Sequence, residues 1–178
     1  HPEIASAFLS KSRSLFQLGD YDRAFHLIDS ALYAGGYNEG DFAEVLAPLE
    51  VLDALNQRGT FLQQMYQKRR GETYLAESEK TYQTAATAIR QFRNTLLENE
   101  SKAIISDRFR AIFSGGIETA LEMHRLHPKD EIHYQQAFAL AEQSKSLTLL
   151  EGVRSSGAEK FAGIPDSLQQ QERDLQAE

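Results

Sequence analysis

Cysteine is absent from this chain of 178 residues, which excludes a disulfide framework, a zinc–thiolate site and a thiol nucleophile, while leaving the compartment open. Proline is scarce at four residues and glycine contributes eleven, too few for a fibrous or linker-dominated polypeptide. No window approaches the run of about 18 apolar residues that a bilayer span requires. Positive charge is also short. Lysine and arginine number 19 against 26 aspartates and glutamates, a net charge of −7, a poor footprint for a phosphate backbone or an anionic membrane, both of which favour a basic patch. We therefore expect neither nucleic acid nor membrane as a partner. A cytoplasmic location is a separate expectation that the charge does not supply. Alternating runs of β-branched residues do not occur, so a sheet has no sequence from which to form.

Apolar residues make up 41% and charged residues 25%, the proportions of a globular chain, and one this long can hide roughly 70% of its unfolded surface. Apolar residues recur at three- and four-residue steps, which predicts an all-α fold. A first helix over about residues 3–18 carries Phe8, Ser12 and Leu15 on one face, with Leu9 and Phe16 beside it, and stops at Gly19. Asp20 caps a second helix over about 21–34 with the stripe Ala24, Ile28 and Ala31. Glycines break residues 35–47, where Asp41 and Glu44 have capping-box spacing. A third helix begins at Pro48, follows the ladder Leu52, Leu55, Gly59, Leu62 and Tyr66, and ends in the basic run Lys68, Arg69 and Arg70, which suits a helix C-terminus. A fourth, over about 73–97, repeats the rhythm with Ser78, Tyr82, Ala85, Ile89, Phe92 and Leu96. The fifth carries Ile105, Phe109, Ile112, Gly116, Thr119 and Met123 up to His127 and Pro128. A sixth, over about 131–154, turns Ala137, Ala141 and Ser144 inward, with Phe138 and Leu147 around them.

Small residues facing large ones let helices approach to about 8 Å. Consecutive helices pair off antiparallel, and because no pair buries both its faces alone, stacked pairs share one elongated core, the logic of a solenoid. The chain opens on His1, Pro2 and Glu3, neither a start methionine nor a leader, and residues 169–178 still read as a growing helix, so we expect an excised piece.

Gly19, Asp20, Tyr21, Ala24, Ile28, Ala31 and Leu32, with Phe8 and Ser12 ahead of them, stand at the offsets of a tetratricopeptide repeat, and the segment resembles one. The small residues opening the second helices, Ala24, Ser78 and Ala137, are spaced too widely for regular repeats, so the later pairs are extended. Four further stretches are Thr81–Ala85, Glu100–Lys102, the set Ala137, Phe138, Ala141, Glu142, Ser144 and Lys145, and Phe161–Leu168. In these the chain resembles the region ahead of the CHAT domain, a caspase-like peptidase domain fused to tetratricopeptide repeats in bacterial proteins. The resemblance implies an α-α superhelix of antiparallel pairs, extended in the second and third. It implies a regular pair plus glycine-rich loop over 1–47, two extended pairs over 48–155, and a linker with the start of a truncated helix over 156–178. It also implies a peptidase domain beyond Glu178, whose Cys and His can be placed on no residue here.

Catalytic and ligand motifs are missing: no Gly-x-x-x-x-Gly-Lys loop, Gly-x-Ser-x-Gly elbow or His-Glu-x-x-His helix occurs. Gly115-Gly116 lies inside a helical stripe and reads as close packing. His124, His127 and His133 surround a turn and read as solvated rather than as a metal site, so we expect no metal and no cofactor. An interaction and regulatory scaffold without catalysis is the reading that remains. Alternatives are a ligand- or metal-binding helical domain and a structural module that associates weakly with itself. By the resemblance, first helices of pairs line a groove, which names Leu9, Arg13 and Phe16 on helix one and Asn56, Thr60 and Gln63 on helix three as contacts for a protein or peptide, or for the adjoining peptidase domain. Leu9 and Phe16 fit equally well as residues that pack under a preceding repeat.

Overall fold

A computed structural model describes residues 1–38, 42, 45–99 and 102–155. They form six helices: α1 (Pro2–Gln17), α2 (Tyr21–Ala34), α3 (Pro48–Arg69), α4 (Glu72–Asn99), α5 (Lys102–Leu126) and α6 (Glu131–Ser155). Among the described residues there is no β-strand, and the all-α class is plain. The boundaries follow local chemistry. Pro2 and Pro48 sit in the first turns of α1 and α3, where a missing N–H costs nothing. The Asp20 carboxylate caps α2 by accepting from the Arg23 amide at 3.4 Å, and Gly19 takes φ +86° in the turn before it. The Asp41/Glu44 capping box, the side chains of Leu96, Ile105 and Phe109, the stretches Glu100-Ser101 and Phe161–Leu168, and the linker over 156–178 lie outside the described residues.

The chain divides into two compact units, residues 1–144 and 145–178. The described part of the second, residues 145–155, is the last stretch of α6. Within the first, α1 packs on α2, α2 on α3, α3 on α4 and α4 on α5, and the odd-numbered helices also touch, α1 with α3 and α3 with α5.

The buried stripe of α1 is Ala5, Leu9, Ser12 and Phe16: Ser12 lies where expected, but Leu9 and Phe16 replace the expected Phe8 and Leu15. Phe8-Leu9 and Leu15-Phe16 are adjacent apolar pairs, so a helical period fits either choice; packing decides it, because the Phe16 ring stacks on Phe61 of α3 with centroids 3.8 Å apart. The α2 stripe Ala24, Ile28 and Ala31 is fully buried. On α3 the whole ladder is buried, and so are Val51, Ala54, Phe61 and Met65, because α3 is covered from two sides. Of the inward set expected on α6, Ala137 is buried and Ala141 and Ser144 are half-buried, while Phe138, expected beside them, is 61% exposed.

Tyr82 of α4 marks the tightest packing. A Cβ at Gly59 would stand 2.6 Å from Tyr82 Cζ, and one at Gly115 would stand 2.5 Å from the same atom. The Gly115-Gly116 pair thus serves close approach: α5 comes up to the Tyr82 ring, and Gly116 leaves room for Leu140 of α6.

Candidate functional site

Among the described residues, α3 borders clefts on two sides. The larger, about 630 Å³, lies among α2, α3 and α4 and holds Tyr33, Tyr37, Lys80 and Thr84; an ion pair between Arg58 of α3 and Asp29 of α2 joins two of its walls. The other, about 490 Å³, runs between α1 and α3. Ser6, Ser10, Arg13 and Gln17 line it from α1, and Asp53, Asn56, Thr60 and Gln64 from α3. Its floor is Leu9, Phe16 and Phe61, each almost fully buried.

Below that cleft the two helices are stitched by a polar side chain. Gln57, buried, donates from Nε2 to the Leu9 carbonyl at 3.1 Å and to Ser12 Oγ at 3.2 Å. Ser12 in turn donates to the Ala24 carbonyl of α2 at 2.8 Å, so one residue of α3 fixes both helices of the first pair. The Gln57 Oε1 accepts from Arg13 Nη2 at 3.2 Å. That bond aims the Arg13 guanidinium across the cleft while leaving most of its donors unused. At the far wall, Asp53 pairs with Arg108 of α5 at 3.1 Å. Burial pushes the Asp53 carboxyl above its ordinary range, against the pull of Arg108.

Five of the six residues expected from the sequence, Leu9, Arg13, Phe16, Asn56 and Thr60, therefore border one cleft. Leu9 and Phe16 lie under it, buried within this chain rather than beneath a preceding repeat, the Phe16 ring stacked on Phe61, and they offer a partner little surface. Gln63 does not line this cleft. It faces α5, donating to the Gly115 carbonyl at 3.1 Å and to Thr119 Oγ1 at 2.7 Å, and its Oε1 accepts from the Tyr82 hydroxyl at 3.4 Å. Ser10, Gln17, Asp53 and Gln64 were not among the expected residues, although each stands three or four residues from an expected one along the same helix face.

The histidines around the α5–α6 turn separate into individual contacts. His127 Nε2 meets Glu72 Oε1 at 2.7 Å, His133 Nδ1 meets Glu79 at 2.9 Å, and His124 Nδ1 meets the Asp130 carbonyl at 3.1 Å. The first two contacts tie the turn to α4, and the third closes the turn back on the end of α5. Among the described residues no group of three or more His, Cys, Asp or Glu is arranged to hold a metal ion, and no helix is long and apolar enough to cross a membrane.

No family model, no curated protein and no solved structure matches the chain.

Proposed function

We propose that this chain is a non-catalytic interaction scaffold of tetratricopeptide-like helix pairs, and that the cleft between α1 and α3 receives an extended segment of a protein partner. The observation that carries the reading is the row of polar side chains on both walls of that cleft, Arg13, Asn56 and Gln64 among them, above an apolar floor that Gln57 holds in place. An extended peptide presents a carbonyl or amide at every residue; Asn56 and Gln64 offer both partners, and Arg13 offers donors only. The contacts of α1 with α3 and of α3 with α5 support the superhelical stacking that the reading needs, since first helices of successive pairs lie side by side in such an array. The context proposed with it, a parent protein with a CHAT peptidase domain that this module positions or restrains, rests on the sequence resemblance.

The test is a selection of random peptides displayed on phage against the purified chain. Enriched peptides are expected to lose about tenfold in affinity on Asn56→Ala and on Arg13→Ala, a loss of about 1.4 kcal/mol for each. Failure to enrich any peptide, or ligands indifferent to both substitutions, would sink the cleft as the binding site. Peptide-bond cleavage by the chain above that of a mock preparation would overturn the non-catalytic reading.

A further inference from the structure

The basic run at the end of α3 is more than a compensated helix end. Lys68, Arg69 and Arg70 are all exposed, in a chain whose net charge is −7, and each lies against a tyrosine ring. Lys68 Nζ stands 5.2 Å and the Arg69 guanidinium 5.4 Å from the centroid of Tyr21, the first residue of α2. Lys68 also donates to the Tyr21 hydroxyl at 3.1 Å, and Arg69 to the Tyr74 hydroxyl of α4 at 3.3 Å. Arg70 lies 5.8 Å from the Tyr66 ring. None of the three has a carboxylate within ion-pair distance among the described residues. The nearby Glu122 is engaged by Arg125 Nε and Nη2, both at 2.7 Å, and by the Tyr66 hydroxyl at 2.9 Å, and it feels the charge of Arg70 only from beyond ion-pair distance.

A second observation sets the cluster apart from dipole compensation. Arg70 occupies the left-handed cap of α3 at φ 54°, the position where glycine is favoured because any Cβ is strained, and Gly71 stands one residue too late to fill it. Dipole compensation is already supplied by Lys68 and Arg69 in the last turn. A third cation held on a strained backbone adds charge outside the helix at a cost in stability, which suits a surface that meets an opposite charge.

We propose that Lys68, Arg69 and Arg70 form a docking surface for an acidic protein segment, separate from the α1–α3 cleft. The chemistry it fits is a run of closely spaced Asp or Glu side chains. Three cations on consecutive residues match carboxylates on neighbouring residues of a peptide, and the tyrosines lower the entropy lost on binding by holding the cationic side chains in place. The remainder of the molecule, acidic overall, repels the same peptide and so confines it to this turn.

The proposal is tested by fluorescence anisotropy with a labelled, acetylated hexaglutamate peptide on the whole chain, with hexaglutamine as the neutral probe. Hexaglutamate is expected to bind and hexaglutamine not, and the affinity is expected to fall severalfold between about 50 and about 300 mM NaCl as charges are screened. Replacing Lys68, Arg69 and Arg70 together with alanine is expected to lower the affinity at least about tenfold, whereas Lys129→Ala, which removes one charge at the α5–α6 turn, leaves it unchanged. Arg70→Gly separates charge from structure: thermal stability is expected to rise as backbone strain is relieved, while hexaglutamate affinity falls. Equal binding of the two peptides, or parental affinity in the triple variant, would overturn the proposal. So would a folded chain that binds oligothymidylate or phosphatidylserine vesicles more tightly than hexaglutamate, since the surface would then serve a different class of polyanion.

Discussion

At the scale of single residues, Tyr82 and Glu122 show how much of this fold depends on one contact. The Tyr82 ring occupies the space that side chains at positions 59 and 115 would need, and its hydroxyl lies 3.3 Å from Thr60 Oγ1; burial pushes that hydroxyl's pKa up. Gly115→Ala gains up to about 1 kcal/mol of helix propensity but drives a methyl into a ring that is 1% exposed and cannot step aside. Overpacking of this kind costs about 1–3 kcal/mol. The variant is expected to unfold at lower temperature than the parent, and Gly115→Ala combined with Tyr82→Ala is expected to lose less than the two single costs added, as a double-mutant cycle would show. For Glu122, the Arg125 guanidinium is the main cause holding the carboxyl down to about 2. Its folded pKa lies below the unfolded value, so its contribution is complete above the ordinary Glu range near pH 4.3 and disappears as pH falls toward 2. Glu122→Gln is therefore expected to cost under about 1 kcal/mol at pH 7, as suits a pair open to solvent. Urea midpoints taken at both pH values should show the difference vanishing near pH 2.

At the scale of elements, α3 holds a neighbour on each side with a glutamine. Gln57 reaches the Leu9 carbonyl and Ser12 of α1, and Gln63 reaches the Gly115 carbonyl and Thr119 of α5. Gln57→Leu and Gln63→Leu are each expected to cost about 1–2 kcal/mol, chiefly by leaving buried partners unsatisfied. Their effects should fall on different helices. Amide exchange is expected to quicken most in α1 and α2 for Gln57→Leu and most in α5 for Gln63→Leu, and uniform acceleration in both variants would contradict this division. The helices themselves were legible in the sequence, because Pro2, Pro48, Asp20 and the glycines mark their ends by local chemistry. Which face of each helix is buried was legible only where one stripe is apolar, as on α2. On α1 two adjacent apolar pairs left the rotation open until Phe61 covered Phe16. On α3 a single ladder accounted for half the buried residues, since a helix covered from two sides is apolar on more than one stripe. The cleft was legible as a helix face, through Arg13, Asn56 and Thr60. That Gln63 turns to α5 was not legible, because an amide looks the same in sequence whether it faces solvent or bridges two helices.

At the scale of the whole chain, the packing of α1 to α5 is sequential, each of α1 to α4 resting on its successor, with α3 joining the first pair to α4 and α5. Stability in such an arrangement is the sum of local terms and the interfaces between neighbours, so weakening one interface uncouples what lies on either side of it. The interface between the first pair and α3 is concentrated in aromatic side chains. Phe61 stacks on Phe16 at 3.8 Å and meets the Phe25 ring edge-on at 6.2 Å, while Phe16 also touches Tyr21 at 4.9 Å. Phe61→Ala opens a cavity beneath the α1–α3 cleft and is expected to cost about 3–5 kcal/mol. Because the lost contacts are those that bind α1 and α2 to α3, the cost falls on docking of the first pair. The α3–α4–α5 contacts around Tyr82 remain. In urea the parent is expected to lose amide protection in all of α1 to α5 at one midpoint. The variant is expected to lose it in α1 and α2 at a distinctly lower urea concentration than in α4 and α5. Hydrogen exchange read by mass spectrometry across a urea series makes the comparison. Protection lost everywhere at a single reduced midpoint would mean that α1 to α5 fold as one indivisible core, and the sequential description would fall with it.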